Sequence, residues 1–327
     1  MKRRNKVSNI LFLCIVLILV LVMIYSGLQL LGPTIFNNEE APEETFVSKT
    51  ITRNGVDYFP RQDITVVMVL GIDQLSVVED SGSYNNSGAS DVVMLMIFDE
   101  ADQTSSILVL NRDTMVEMPV LGIGGKPAGT LYGQLALSHT YGSGLEDSCE
   151  NTRTTVSNLL NGINIDYYVS LNMGAIPIIN DAVGGVPVTV TDDFSAVDPT
   201  ITKGEVLLQG EQALNYIRTR QGLGDQLNLS RMERHEEYMN GFLDALRAKL
   251  EQDPNFIVEL YEEVAPYMVT DCSVNTISGM MERYVDYSIK EIVSPEGENV
   301  LGEKYYEFYA DAEKLDELAV RLFYAEK

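Results

Sequence analysis

Apolar positions along the chain fall into blocks of clearly different length. The first runs from about Ile10 to Leu31, broken only by Ser26, Gly27 and Gln29, and matches the thickness of a bilayer at 1.5 Å per residue. After a polar stretch, Ile64 to Leu70 forms a continuous β-branched block ending at Gly71-Ile72-Asp73, the pattern of a strand buried on both faces. Residues 81–90, with Gly82, Asn85, Asn86 and Gly88, read as a surface loop. Asp91 then opens a second strand, Val92 to Phe98, and a turn over 99–105 leads to a third, Ile107 to Leu110, predicting a hairpin.

Helical spacing follows at Asn151 to Leu160, which stops at Asn161-Gly162, and at Met173 to Val183, which stops at Gly184-Gly185, where glycine supplies positive φ. Ile165 to Leu171 and Val186 to Val190 read as strands. A short helix from Gly210 through Ile217 and a longer one from about Leu229 to Lys249 complete the pattern. Alternating strands and helices predict an α/β fold, a mixed central β-sheet flanked by helices, over 60–250. The remainder, 251–327, reads as a mainly helical extension packed on the same domain, with a strand-like Tyr305–Tyr309.

Charge changes the picture at both ends. Lys2, Arg3, Arg4 and Lys6 precede the first apolar block, which is longer than a signal-peptide core and runs on into Leu28, Leu30 and Leu31. It is therefore read as one uncleaved transmembrane helix at 8–32, with 1–7 in the cytoplasm, an acidic stalk at 33–59 and all later residues outside. The whole chain carries 23 Lys+Arg against 48 Asp+Glu, net −25, and without the four anchor cations the outer part is near −29. Such a charge excludes a nucleic-acid partner, which requires a basic footprint. Cys149 and Cys272 either pair across a long loop or remain two buried thiols. Two histidines and no zinc spacing exclude a His-rich metal site.

Against this acidic background two groups carry chemistry. Asp73 ends the first strand and Asp91 begins the second, so antiparallel pairing would bring both to one rim. Paired carboxylates with open positions suit Mg²⁺ or Mn²⁺ shared with phosphates, although aspartate is also a common turn residue. Arg112 follows the third strand, Arg218 and Arg220 end the short helix, and Arg231 and Arg234 lie one turn apart. Arginine's planar fork binds phosphate oxygens in pairs, so a pyrophosphate fits, while ion pairing with Glu211, Asp225, Glu233 and Glu236 is the alternative. His139 is either a general base or a core histidine.

The runs Val-Leu-Gly-Ile-Asp (69–73), Ser90-Asp91, Asn-Arg-Asp-Thr (111–114), Ser-His-Thr-Tyr-Gly (138–142), Ile-Asp-Tyr-Tyr-Val (165–169) and Val-Gly-Gly-Val (183–186) occur in that order. Leu-x-Gly-x-x-Ala-Leu-x-Tyr-x-Arg-x-Arg (208–220) and Arg-x-x-Arg-His (231–235) complete the series. Together they resemble the LytR-CpsA-Psr (LCP) family. The resemblance implies a membrane-anchored extracellular phosphotransferase that moves a glycopolymer, such as teichoic acid or capsule, from a polyprenyl-pyrophosphate carrier to peptidoglycan. It implies Asp73 and Asp91 as Mg²⁺ ligands and catalytic groups, with Arg112 catalytic and pyrophosphate-binding. Arg218, Arg220 and Arg231 would grip the pyrophosphate, with Arg234 and His235 adjoining. Leu75 and His235 depart from the family pattern, which often has arginine and glutamine there. The polyprenyl chain implies an apolar tunnel, with 151–160 and 173–183 as its walls. The competing readings are a hydrolase using the same site and a non-catalytic regulator that binds anionic polymer.

Overall fold

The computed structural model describes residues 50–326 except 54, 87, 220–233, 235–236 and scattered positions between 239 and 304. The expected membrane span at 8–32 lies outside these residues. Among the described residues no helix is long and apolar enough to cross a membrane.

A six-stranded mixed sheet forms the centre. Its strands are β3 (Ile64–Ile72), β4 (Ser90–Asp99), β5 (Thr104–Leu110), β8 (Tyr167–Asn172), β11 (Met268–Thr270) and β12 (Ser288–Val293), in the order β11-β8-β3-β4-β5-β12. The β3–β4 and β4–β5 pairs are antiparallel, as the hairpin pattern predicts, whereas β3–β8 and β5–β12 are parallel. Alternation divides the sheet's side chains between two apolar layers, because successive residues of a strand point to opposite faces. Val67, Val69, Met94 and Met96 enter one core, and Met68, Leu70, Val93 and Leu95 enter the other. Both faces are covered, which accounts for the uninterrupted apolar runs in β3 and β4.

Helix α1 (Glu146–Leu159) packs into the second core with the C-terminal helix α5 (Ala312–Phe323). The first core takes α2 (Ala175–Ala182), α3 (Glu211–Arg218), the helical residues described between 234 and 249, and α4 (Phe256–Val264). Helices α1 and α2 therefore lie on opposite faces of the sheet and cannot wall one tunnel, contrary to the expectation for 151–160 and 173–183. Helix α1 also starts earlier than its apolar spacing suggests. Its first turns are buried through Ser148, Asn151, Thr152 and Thr155.

Helix α2 stops as expected. Gly184 and Gly185 adopt φ of 92° and 91°, and their amides bond back to Asp181 O and Asn180 O. The C-terminal part differs from the expected helical extension. It supplies β11 and β12, the two edge strands of the central sheet, and the hairpin β13 (Gly297–Leu301) and β14 (Tyr306–Ala310). Its last strand, β15 (Tyr324–Glu326), pairs with β2 (Val56–Pro60), which in turn pairs with β1 (Ile51–Arg53). Residues 268–326 are thus part of one fold with 60–250.

Candidate active site

The β3–β4 pair brings Asp73 and Asp91 to the same rim. Ile72 pairs with Ser90, and the Asp73 amide donates to Ala89 O at 3.0 Å. Register shifts between Gly71, opposite Val92, and Ile72, opposite Ser90, so Asp91 is the extra residue of a β-bulge. Bulges re-aim side chains at sheet ends, and here one does so at a carboxylate.

Among the described residues each carboxylate meets an arginine. The Arg112 guanidinium donates through Nη1 to Asp91 Oδ1, and its Nε lies 3.4 Å from Asp113 Oδ1. Arg218, the last residue of α3, donates through Nη2 to Asp73 Oδ1 at 3.0 Å. The first pair is the more enclosed, with the Asp91 side chain 11% exposed against 38% for Asp73. Two acceptor-only carboxylates and two guanidinium forks thus share one rim, a set able to hold both a hard cation and phosphate oxygens. Among the described residues no group of three or more His, Cys, Asp or Glu is arranged to hold a metal. Two carboxylates suit Mg²⁺, which dehydrates reluctantly and keeps water and phosphate oxygens in its remaining positions. Arg220, Arg231 and His235 lie outside the described residues.

Arg234 is placed differently from Arg112 and Arg218. Its side chain is 4% exposed, donating Nε to Tyr216 O, Nη2 to Thr219 O and Nη1 to Asp192. It also lies 5.6 Å from the Phe194 ring. These contacts tie the C-terminal end of α3, which carries Arg218, to the segment after β9 (Val186–Val190). Breaking a buried ion pair strands a charge. Asp192→Ala is expected to cost about 3–5 kcal/mol, and the double change Asp192→Leu with Arg234→Met distinctly less. Thermal unfolding of both variants checks this, and equal losses would refute it.

The loop between Asp73 and Asp91 is pinned by Asn86, which no sequence motif marks, and by His139 of the Ser-His-Thr-Tyr-Gly run. Asn86 donates through Nδ2 to His139 O, Gly142 O and Ser148 Oγ, and accepts from the Gly88 amide at 2.6 Å. His139 Nδ1 stands 2.8 Å from Gly88 O, so this nitrogen carries the hydrogen, and Nε2 is buried with no hydrogen-bond partner among the described residues. Asn86 and His139 therefore position the segment leading into Asp91. Such contacts, more than fifty residues apart in sequence, leave no local spacing to read.

Burial holds the His139 imidazole down at about 4, with the Gly88 carbonyl and Asp147 pulling weakly upward. The unfolded chain binds this proton at its ordinary pKa near 6.5. Stability is therefore lost as pH falls from about 6.5 to 4, by up to about 1.4 kcal/mol per pH unit. Denaturant midpoints measured from pH 7 to 4.5 are expected to fall more steeply for the native chain than for His139→Gln. Parallel slopes would refute the assignment.

Cys149 and Cys272 are unpaired and buried in different cores, so the pairing left open by the sequence does not form. Burial pushes the Cys272 thiol up to about 12 and raises Cys149 as well, which makes both poor nucleophiles.

The LytR_cpsA_psr family model matches residues 36–323. The chain belongs to the LytR-CpsA-Psr family. A relative from Enterococcus faecalis, named polyisoprenyl-teichoic acid--peptidoglycan teichoic acid transferase TagU, is 28% identical over 275 residues, which is 84% of this chain and 81% of the relative. The corresponding enzyme TagT of Bacillus subtilis is 31% identical over 196 residues, 58% of this chain, and the match spans about half of the relative's length, 54%. A solved structure from Streptococcus agalactiae superposes with a TM-score of 0.59 at 25% identity, over 80% of this chain and 86% of that one. The mixed sheet with helices on both faces is therefore the LCP fold.

Proposed function

We propose that this protein is an extracellular phosphotransferase that moves a glycopolymer from a polyprenyl-pyrophosphate carrier to peptidoglycan. The observation that carries the reading is the rim itself, two aspartates and two arginines, in a chain whose relatives are named teichoic acid transferases. An acceptor sugar hydroxyl attacks the phosphorus next to the glycopolymer. The new P–O bond replaces the P–O–P link, polyprenyl phosphate departs, and the hydroxyl proton goes to a carboxylate. Asp91, aimed by its bulge and the more enclosed of the two, is the better placed to take that proton. Arg112 and Arg218 turn from their aspartates to the phosphate oxygens and offset the charge that grows on the leaving phosphate. Arg220 and Arg231 add to this grip, and Arg234 holds the α3 end that presents Arg218. Mg²⁺, held by Asp73 and Asp91, supplies further charge neutralisation when bound. A transmembrane helix at 8–32 keeps the site near the lipid-borne donor.

The test uses the full-length chain in vesicles with a polyprenyl-pyrophosphate glycolipid and peptidoglycan oligomers, with Mg²⁺ or chelator. Glycopolymer joined to peptidoglycan together with released polyprenyl phosphate is the expected result. Free sugar phosphate as sole product would replace the reading with a hydrolase, and binding without turnover would replace it with a regulator.

A further inference from the structure

Arg112 meets two carboxylates through different nitrogens. Nη1 donates to Asp91, the proton acceptor of the step above, whereas Nε lies 3.4 Å from Asp113 Oδ1, a carboxylate with no part in that step. Asp113 is itself oriented from outside the turn. Strands β6 (Met115–Leu121) and β7 (Pro127–Gln134) pair with Met115 opposite Gln134, which sets the Gln134 amide beside Asp113. Gln134 Nε2 donates to Asp113 Oδ1 at 2.9 Å and to Tyr306 O, on β14, at 2.8 Å.

The backbone that carries Arg112 is fixed as well. The Asp113 amide donates to Asn111 Oδ1 at 3.0 Å, closing an Asx turn, and Thr114 donates to Asn111 O through its amide at 3.0 Å and its hydroxyl at 2.6 Å. Arg112 O accepts from Ala136 N at 2.9 Å, and Asp113 O accepts from Phe308 N at 2.8 Å. What this clamp leaves unset is the direction of the Arg112 side chain, which is 36% exposed. A long side chain this open loses much rotamer freedom when it must point one way, and the Asp113 contact restricts it before substrate arrives.

Resting on the transferase reading above, we infer that Asp113 is a positioning residue for Arg112, with Gln134 fixing the Asp113 carboxylate in turn. A guanidinium is planar and holds its five donors in a fixed fork, so fixing Nε sets the plane of the whole group. Asp113 keeps Arg112 aimed while Nη1 exchanges Asp91 for a phosphate oxygen, and the terminal nitrogens Nη1 and Nη2 are the pair presented to phosphate. Misplacing a catalytic group by about 1 Å costs about 10²-fold in rate, so holding this one through the exchange matters to turnover.

Transfer by the full-length chain in vesicles tests the inference. Asp113→Ala is expected to lower kcat by about ten- to a hundredfold with the KM for the glycolipid donor within about twofold of the parent. Asp113→Asn, whose amide oxygen still accepts from Gln134 and Arg112, is expected to bring kcat back to within about threefold of the parent. Gln134→Leu, which keeps the Asp113 carboxylate and removes its amide donor, falls between the two. In an Arg112→Ala background, Asp113→Ala changes kcat by less than about twofold. A readout without turnover is the Arg112 Nε–H resonance of the chain in detergent micelles, assigned by its loss in Arg112→Ala. It exchanges with water faster in Asp113→Ala and stays protected in Asp113→Asn.

An Asn variant as damaged as the Ala variant overturns the inference, because the Asp113 charge would then act directly as a proton acceptor or cation ligand. So does an Asp113→Ala loss that persists undiminished without Arg112, or an Nε–H exchange rate that ignores Asp113. Should Asp113→Ala fail to fold, Gln134→Leu with parental kcat overturns it equally. Asp113-dependent protection of Nε–H with no transfer by the parent refutes the transferase reading alone, and transfer that Asp113→Ala leaves unchanged refutes the positioning role alone.

Discussion

Arg112→Ala is expected to lower glycopolymer transfer by about 10²–10³-fold while leaving the fold intact, the range seen when one preorganised charge stabiliser is removed from an active site. Arg112 is the guanidinium paired with the bulged Asp91, and its side chain is 36% exposed. Its partner Asp91 is only 11% exposed, so removing the guanidinium costs more than the roughly 1 kcal/mol or less of a surface pair, and the variant should stay folded but melt measurably below the native chain. Arg112→Lys should recover little, because an ammonium offers one point charge where the fork offers parallel donors. Asp91→Asn should fall as far as Arg112→Ala, since it removes both the proton acceptor and one of the two carboxylates offered to a cation. Arg218→Ala should fall less, because Arg218 and Asp73 sit in more water, where each interaction is weaker. Steady-state transfer with calorimetry on the same preparations checks the order. An Arg112→Ala protein retaining more than about a tenth of native transfer would remove Arg112 from the site.

What the sequence revealed depends on whether each feature is local. The strands β3, β4 and β5 were legible because both faces are buried, leaving long β-branched runs that nothing else explains. Helix α2 was legible because two glycines with positive φ end it. The shared rim of Asp73 and Asp91 followed from the hairpin pattern, although the bulge that singles out Asp91 has no sequence signature. Features built from distant partners were hidden. Strand β11 is three residues long and pairs with β8 about one hundred positions away, and β12 joins β5 across a still longer gap. Neither could be separated from the helices around it. The first turns of α1 are buried through Ser and Thr, which apolar spacing ignores. Arg234 resembled a ligand-binding arginine because Asp192, the partner that buries it, lies 42 residues upstream.

Gly174→Ala should cost both stability and transfer, through a mechanism independent of the catalytic charges. Gly174 has φ −60° and ψ −15°, ordinary helical values at the start of α2, so conformational freedom is not why glycine is needed. Space is the reason. A Cβ there would stand 1.9 Å from Leu75 O, 2.7 Å from Leu75 C and 2.8 Å from a Tyr267 ring carbon. The backbone just beyond Asp73 rests directly on this glycine, held by the Gly174 amide on Gln74 O at 3.1 Å and by Asn172 Nδ2 on Ser76 O at 2.9 Å. A methyl group must push residues 74–76 away, and Asp73 moves with them. Overpacking of this kind costs about 1–3 kcal/mol, or roughly 2–12 °C in melting temperature for a domain of this size. A displacement near 1 Å at a catalytic group costs about 10²-fold in rate. Gly184→Ala provides the control: its φ of 92° makes alanine strained, yet nothing lies within 4 Å of the added Cβ, and the site is remote from the α2 start. It should lose stability without losing transfer once measured well below its melting temperature. If the two variants lose transfer equally, the seat of the Asp73 loop on Gly174 does not control the position of that carboxylate.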